Sequence, residues 1–265
     1  MTRIAWRTAL VKTAGWAVLA VFCLLTTSPA YADDTAKYCA PQADNVVIYI
    51  DRTTNYDDTD KRALVDGISR IFAALQGGER IAVRTIADNF GASTSLIDSC
   101  MPVCASKGLL GDLFSSDCTE GLAINDRNHL RDRIVKQLQQ LLDDYSELPY
   151  SEIVRTIAMS SVTEIRPGRH NRLYLFTDLI ENSVYMPGKA FFNDSNDKLL
   201  AKVAADQLVP DLGGAEVVVF GVGRSGKPGR PTLEQPLLVK LTDFWKRFFA
   251  LAHANVTVEQ SLGGL

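Results

Sequence analysis

Asp51 and Asp178 each stand at the end of an apolar run, Val46-Val47-Ile48-Tyr49-Ile50 before the first and Leu173-Tyr174-Leu175-Phe176-Thr177 before the second. Two carboxylates held side by side at the ends of buried strands repel each other unless a proton or a cation intervenes. Three further residues offer neutral oxygen: Thr53 and Ser151 a hydroxyl each, and Asn55 an amide carbonyl. Carboxylate, hydroxyl and amide oxygens without His or Cys suit a hard divalent ion, Mg²⁺ first, or Mn²⁺ or Ca²⁺, and not zinc. Magnesium commonly keeps water among its ligands, so one position can pass to a carboxylate from a partner. Helix capping is the competing role for several of these residues. Asp178-Leu179-Ile180-Glu181 fits a capping box. Ser151 and either Asn55 or Asp57 stand where helix N-caps are expected. Asp51 ends a strand without starting a helix, so capping explains it least.

Other motifs point elsewhere. Gly221-Val222-Gly223-Arg224-Ser225-Gly226-Lys227 begins like a phosphate-binding loop, but Pro228 replaces the hydroxyl residue that holds Mg²⁺. Pro228, Gly229 and Pro231 also block the helix whose N-terminal amides phosphates require. ATP is therefore not expected, and the segment reads as a solvated basic loop with Arg224, Lys227 and Arg230 in water. His129, His170 and His253 are scattered and form no ligand set.

The chain begins with Arg3, Arg7 and Lys12, an apolar stretch over residues 14–25, and Ala30-Tyr31-Ala32, the pattern of a cleaved secretory signal over residues 1–32. An uncleaved membrane anchor is the alternative. Cleavage removes three basic and no acidic residues and leaves 25 basic against 31 acidic, net −6. That balance argues against nucleic acid as a partner. No transmembrane segment is expected after cleavage, and the location is periplasmic or secreted. Cys39, Cys100, Cys104 and Cys118 then remain, an even count that reads in an exported chain as two disulfides with three possible connectivities.

The elements that must position these residues follow from periodicity. Residues 46–50, 80–87, 94–99, 172–177, 216–220 and 255–258 read as strands. Residues 57–75, 130–145, a stretch from Ser151, 198–208 and 233–252 carry helical spacing. In the last of these, Phe244, Trp245, Phe248 and Phe249 read mainly as core, with one or two exposed toward a partner. Strands alternating with helices predict an α/β fold: a doubly wound, mainly parallel sheet of about six strands covered on both faces. The short connection before residue 94 predicts one antiparallel edge strand. Residues 33–44 form an N-terminal extension, residues 45–265 one domain, and residues 100–118 a disulfide-containing loop.

The element order, Asp51-Arg52-Thr53-Thr54-Asn55 and the Thr177-Asp178 strand end together resemble a von Willebrand factor A domain. That family carries a metal-ion-dependent adhesion site with the motif Asp-x-Ser-x-Ser, a later loop Thr and an Asp after the fourth strand. Asp51, Thr53 and Asp178 match; Asn55 stands for the last Ser, and Ser151 is placed by element order where the loop Thr would lie. The resemblance implies a VWA/Rossmann-like fold and a non-catalytic binding module, with a cation bridging to an acidic residue of a protein partner. The alternatives are a metal-free scaffold of an envelope or secretion assembly and a Mg²⁺-dependent hydrolase, for which no nucleophile or base stands close in sequence.

Overall fold

The computed structural model describes residues 34–104, 118–144, 148–224 and 232–262. The expected signal at 1–32, residues 105–117 of the disulfide loop, and Lys227 and Arg230 lie outside the described residues.

Six strands form one sheet: β1 (Asn45–Asp51), β2 (Arg80–Ile86), β3 (Ser95–Cys100), β4 (Asn171–Phe176), β5 (Glu216–Phe220) and β6 (Asn255–Glu259). Their spatial order is β3-β2-β1-β4-β5-β6. All neighbours run parallel except β2 and β3, which are antiparallel, so the edge strand expected from the short connection is present. The six described helices are α1 (Asp58–Ala74), α2 (Glu120–Asp143), α3 (Ile153–Thr163), α4 (Gly188–Asn193), α5 (Asn196–Ala205) and α6 (Gln235–Leu251). This is the doubly wound, mainly parallel α/β arrangement expected from the sequence. The short helix α4 has no counterpart in the periodicity, because one and a half turns give too few residues for a pattern.

β1, the central strand, is buried along its whole length, which its unbroken apolar run requires. Alternation sends Val46, Ile48 and Ile50 to one face, where they meet Leu64, Ile68 and Ile71 of α1 and Leu130, Ile134 and Leu138 of α2. Val47 and Tyr49 point to the other face, with Ile153 and Ile157 of α3, Leu199 and Val203 of α5, and the aromatic stripe of α6. Phe244, Trp245, Phe248 and Phe249 are all fully buried, which corrects the expectation that one or two face outward. The reason is the neighbouring helices: Phe191 of α4 packs edge-on against Phe244, so the stripe is roofed on its flank. Val239, on the other side of α6, is the helix's exposed apolar residue at its first turns.

The face under β2 and β3 is closed differently. Arg80 and Arg84 both reach Asp98 on β3 and Glu164 at the end of α3, with the shortest contacts at 2.6–2.9 Å. Asn45 joins this network, accepting from Arg80 and donating to the Glu164 carbonyl. An ionic lattice thus replaces a helix over the antiparallel edge.

Cys39 pairs with Cys100 and Cys104 with Cys118, one of the three connectivities open to the sequence. The first ties the N-terminal extension, with its 3-10 turn Asp34–Tyr38, to the end of β3. The second closes a loop of 14 residues. Such a loop gives the unfolded chain a closure worth about 3 kcal/mol. Replacing Cys104 and Cys118 together by Ser is therefore expected to lower the thermal midpoint by roughly 6–12 °C. Calorimetry of the pure variant under non-reducing conditions checks this; an unchanged midpoint would show that the loop adds nothing to the fold. Two disulfides fit an oxidising compartment. Among the described residues no helix is long and apolar enough to cross a membrane.

Candidate functional site at the C-terminal end of the sheet

The chain builds β1 to β3 on one side of the sheet and β4 to β6 on the other, so the direction of growth reverses between β1 and β4. Such a switch point opens a crevice beyond the carboxyl ends of the strands. Ile50 pairs with Phe176, which sets Asp51 and the Thr177-Asp178 segment next to each other at that crevice.

The two aspartates are cross-tied. Asp51 Oδ1 accepts from the Thr53 amide and hydroxyl at 2.8 and 2.6 Å, and its Oδ2 accepts from the Thr177 hydroxyl at 2.7 Å. Asp178 Oδ2 accepts from the Thr54 hydroxyl at 2.9 Å, and its Oδ1 from the Ile180 amide at 2.8 Å. The first loop therefore touches Asp178 through Thr54, a residue outside the set expected from sequence. Asn55 is present in the same loop, but its role in the hydrogen-bond network runs through its backbone: its carbonyl accepts from Arg224 Nη1 at 2.6 Å.

Both carboxylates are taken out of water, Asp51 completely and Asp178 to 7% exposure. Burial is the main force raising the pKa of Asp51, against the pull of Thr177, Thr53 and Arg224. Burial, then the charge of Asp51, pushes Asp178 up to about 7. A buried like-charged pair in this condition favours a cation or a shared proton.

Ser151 lies at the same end. Its amide donates to the Asn182 carbonyl at 2.7 Å and its carbonyl accepts from the Asn182 amide, a single bridge outside the sheet. The next amide, of Glu152, donates to Ala87 just past β2. Ser151 is thus pinned between the loop after β2 and the loop after β4. It does not cap α3, contrary to the capping expectation. Glu181 does this instead from across the crevice, with Oε2 accepting from the Ile153 and Val154 amides at 2.8 and 2.9 Å. The Ser151 hydroxyl is buried and has no hydrogen-bond partner among the described residues.

The Asp178-to-Glu181 capping box is also corrected, since no helix starts there. Leu179 takes a left-handed backbone, φ 61°, and turns the chain away. Trp245 of α6 holds this turn, its indole Nε1 donating to the Leu179 carbonyl at 2.8 Å. Asp57, by contrast, caps α1 as the sequence suggests, accepting from the Thr59 and Asp60 amides. Thr54, Thr177, Glu181 and Trp245 were not among the site residues expected from the sequence. Only Thr177 carried a signal, standing in the quoted Thr-Asp strand end; the others act through tertiary contacts.

Arg224 departs most from expectation. It is 8% exposed, not solvated. Gly221 and Gly223 take positive φ, 89° and 67°, and fold the chain after β5 back over the first loop. The guanidinium lies 4.4 Å from the Tyr56 ring centroid and contacts Asp60 at 2.6 Å.

The donor set fits a hard cation in chemistry: two buried carboxylates, the Thr53 hydroxyl and the free Ser151 hydroxyl, all oxygen. Among the described residues no cluster of three or more His, Cys, Asp or Glu is present, so any ion here would depend on hydroxyl, amide and water oxygens beside the two carboxylates.

No family model and no curated protein matches the chain. Among solved structures, proximal thread matrix protein 1 from the mussel byssus aligns at 13% identity and TM-score 0.42 over 85% of this chain and 45% of that one. A von Willebrand factor type A protein from Catenulispora acidiphila aligns at 12% and 0.41, over 82% and 38%. An aerotolerance-related membrane protein from Bacteroides fragilis aligns at 9% and 0.39, over 83% and 93%. The chain spans less than half the length of the first two.

Proposed function

We propose that the chain is an exported binding module that engages a protein partner at the C-terminal end of its sheet, through a divalent cation. Asp51, Thr53, Ser151 and Asp178 would hold the ion directly or through water, with Asn55 completing the shell through its amide. The ion, Mg²⁺ or else Mn²⁺ or Ca²⁺, would supply an open position for a Glu or Asp of the partner. The chain's own residues do the rest. Thr53 and Thr177 fix the Asp51 carboxylate, Thr54 and the Ile180 amide fix that of Asp178, and the Ser151–Asn182 bridge sets the third loop.

The observation that carries this reading is the Ser151 hydroxyl, buried, unpartnered and held at the same sheet end as the two carboxylates. A buried hydroxyl without a hydrogen bond is unfavourable by about 1–3 kcal/mol unless a ligand or water takes it up. We read the module as non-catalytic, as the resemblance implies, with the hydroxyls of Thr53, Thr54 and Thr177 holding the two carboxylates in place. Periplasmic or secreted placement is part of the same proposal and is supported by the two disulfides.

A metal-free scaffold is the second reading, favoured by the hydrogen bonds that already engage both oxygens of each carboxylate. Calorimetric titration with Mg²⁺ and Mn²⁺ separates the two. Wild type is expected to bind one ion, and Asp51→Ala at least tenfold more weakly, as loss of one of two carboxylates implies. Capture of a partner from envelope extract is expected to fail in chelator. Absence of heat with either ion, together with chelator-independent capture, would leave the scaffold reading. Turnover in a phosphatase and esterase screen would instead favour a hydrolase.

A further inference from the structure

The two edges of the sheet are finished differently. At β3 the pairing with β2 shifts register between Val83 and Arg84, a bulge that bends the edge. The 3-10 turn Asp34–Tyr38 lies against β3, the Thr35 hydroxyl accepts from the Cys100 amide, and the Cys39–Cys100 disulfide locks the turn there. Such devices keep an edge from pairing with another chain.

β6, the other edge, carries none of them. Asn255-Val256-Thr257-Val258-Glu259 holds no Pro and no Lys, and it pairs with β5 in one unbroken register. The Asn255 amide donates to the Ala215 carbonyl, and the Glu259 carbonyl accepts from the Gly221 amide, so residues 255, 257 and 259 bond inward. Alternation turns the amides and carbonyls of Val256 and Val258 outward. No strand pairs with them among the described residues.

Beside this edge an open groove of about 390 Å³ is lined by Gln235, Val239, Asp243 and Lys246 of α6 and by Gln260 just after β6. Val239 is 57% exposed there, and Lys246 has no ion pair among the described residues. Val239, Asp243, Lys246 and Ala250 are exposed and follow one another at helical spacing, a single stripe. The stripe is complementary to itself. Laid antiparallel on a second copy, it sets Asp243 of each chain opposite Lys246 of the other and Val239 opposite Ala250. Asp243 is also reached by Asn196 of α5 and by Arg247 of its own helix, so Lys246 is the charge that gains a partner. An edge strand has the same self-complementarity, since antiparallel pairing about a two-fold axis brings outward groups to outward groups.

We propose that β6 and the adjoining stripe of α6 form an interface with a second copy of this chain, joined by an antiparallel β6–β6 pair. This stands without the cation reading. Its consequence for function rests on that reading. Antiparallel pairing points the strand ends of the two copies in opposite directions, so the two candidate sites face apart and one dimer joins two partner molecules.

Sedimentation equilibrium of the purified chain at micromolar concentrations tests the proposal, in chelator so that no ion links copies at the candidate site. Wild type is expected to show a monomer–dimer equilibrium. Asp243→Lys and Lys246→Asp each place like charges opposite one another twice, and each is expected to weaken the dimer at least about tenfold. The double swap, Asp243→Lys with Lys246→Asp, restores opposite charges and is expected to recover wild-type association to within about threefold. Val258→Pro removes an outward amide that β5 does not use, and it is expected to abolish the dimer. Should that variant fail to fold, the charge series decides alone, because both of its positions are exposed.

A dimer that tolerates all of these changes would lie on another face and overturn the proposal. So would single-charge losses that the swap does not recover. A monomeric wild type would overturn it as well, and hydrogen exchange then names what the edge meets instead. Protected Val256 and Val258 amides would mean that a segment of the chain itself covers β6. Fast exchange would leave the edge to an extended segment of a different protein.

Discussion

A Glu181→Gln variant is expected to keep on the order of 3 kcal/mol of stability at pH 8 that the wild-type chain loses on leaving pH 5. Glu181 is fully buried, and burial pushes its pKa up to about 7, against the pull of Ser183, the α3 amides and Tyr185. In the unfolded chain a glutamate titrates near 4.3. Between those values the folded chain holds more protons than the unfolded one, so stability falls as pH rises. It is fully present below about pH 4 and lost as pH passes 7. Gln keeps an oxygen for the Ile153 and Val154 amides and carries no charge. In chelator, the midpoint of the variant at pH 8 should lie roughly 6–12 °C above that of wild type, with little difference at pH 4. Asp51 and Asp178 act in the same direction, so the variant's pH profile is flattened, not level. Parallel profiles for the two proteins would show that Glu181 does not change its proton affinity on folding.

Glu164→Ala is expected to destabilise the chain by about 3–5 kcal/mol, because it removes one partner from a buried ionic lattice and strands two arginines. The side chains of Arg80, Arg84 and Glu164 are 11%, 15% and 7% exposed, and Asp98, at 45%, is too wet to answer both cations alone. Glu164 also ends α3, whose other end is fixed by Glu181, so its loss loosens the helix that follows Ser151. Urea unfolding measures the loss. Replacing Arg80, Arg84, Asp98 and Glu164 together by apolar residues of similar volume should recover most of it, since buried pairs rarely exceed well-packed hydrocarbon in stability. A loss below about 1 kcal/mol would mean that water reaches the lattice and screens it.

Much of the fold was legible because its signals are local. The run Val46 to Ile50 has no polar face and therefore had to be a strand covered on both sides. The β5 boundaries, Glu216–Phe220, coincide with the expected ones, since an apolar run there stops at Gly221. The apolar spacing of α1 placed that helix to within a residue at either end. The first turns of α2 were not legible, because Glu120 to His129 is mostly polar and exposed and lacks a stripe. In the candidate site, Asp51 and Asp178 stood out as charges ending apolar strands. Thr54 did not, because nothing in its neighbours says which of two adjacent threonines turns toward a strand end far away in sequence.

By itself, then, the chain's order of residues determined which segments are strands and helices, that the sheet is mainly parallel, and that two carboxylates finish its central strands. Those are consequences of hydrophobic periodicity and of residue preferences, which act over a few neighbours. Only the tertiary structure decided that Glu181 caps α3, that Ser151 keeps a hydroxyl unpartnered among the described residues, that Trp245 holds the Leu179 turn, and that Arg224 is buried against Tyr56 and Asp60. Each of these depends on where one loop lands against another. Contact across a sheet end is set by strand order and packing, and no short-range pattern encodes it.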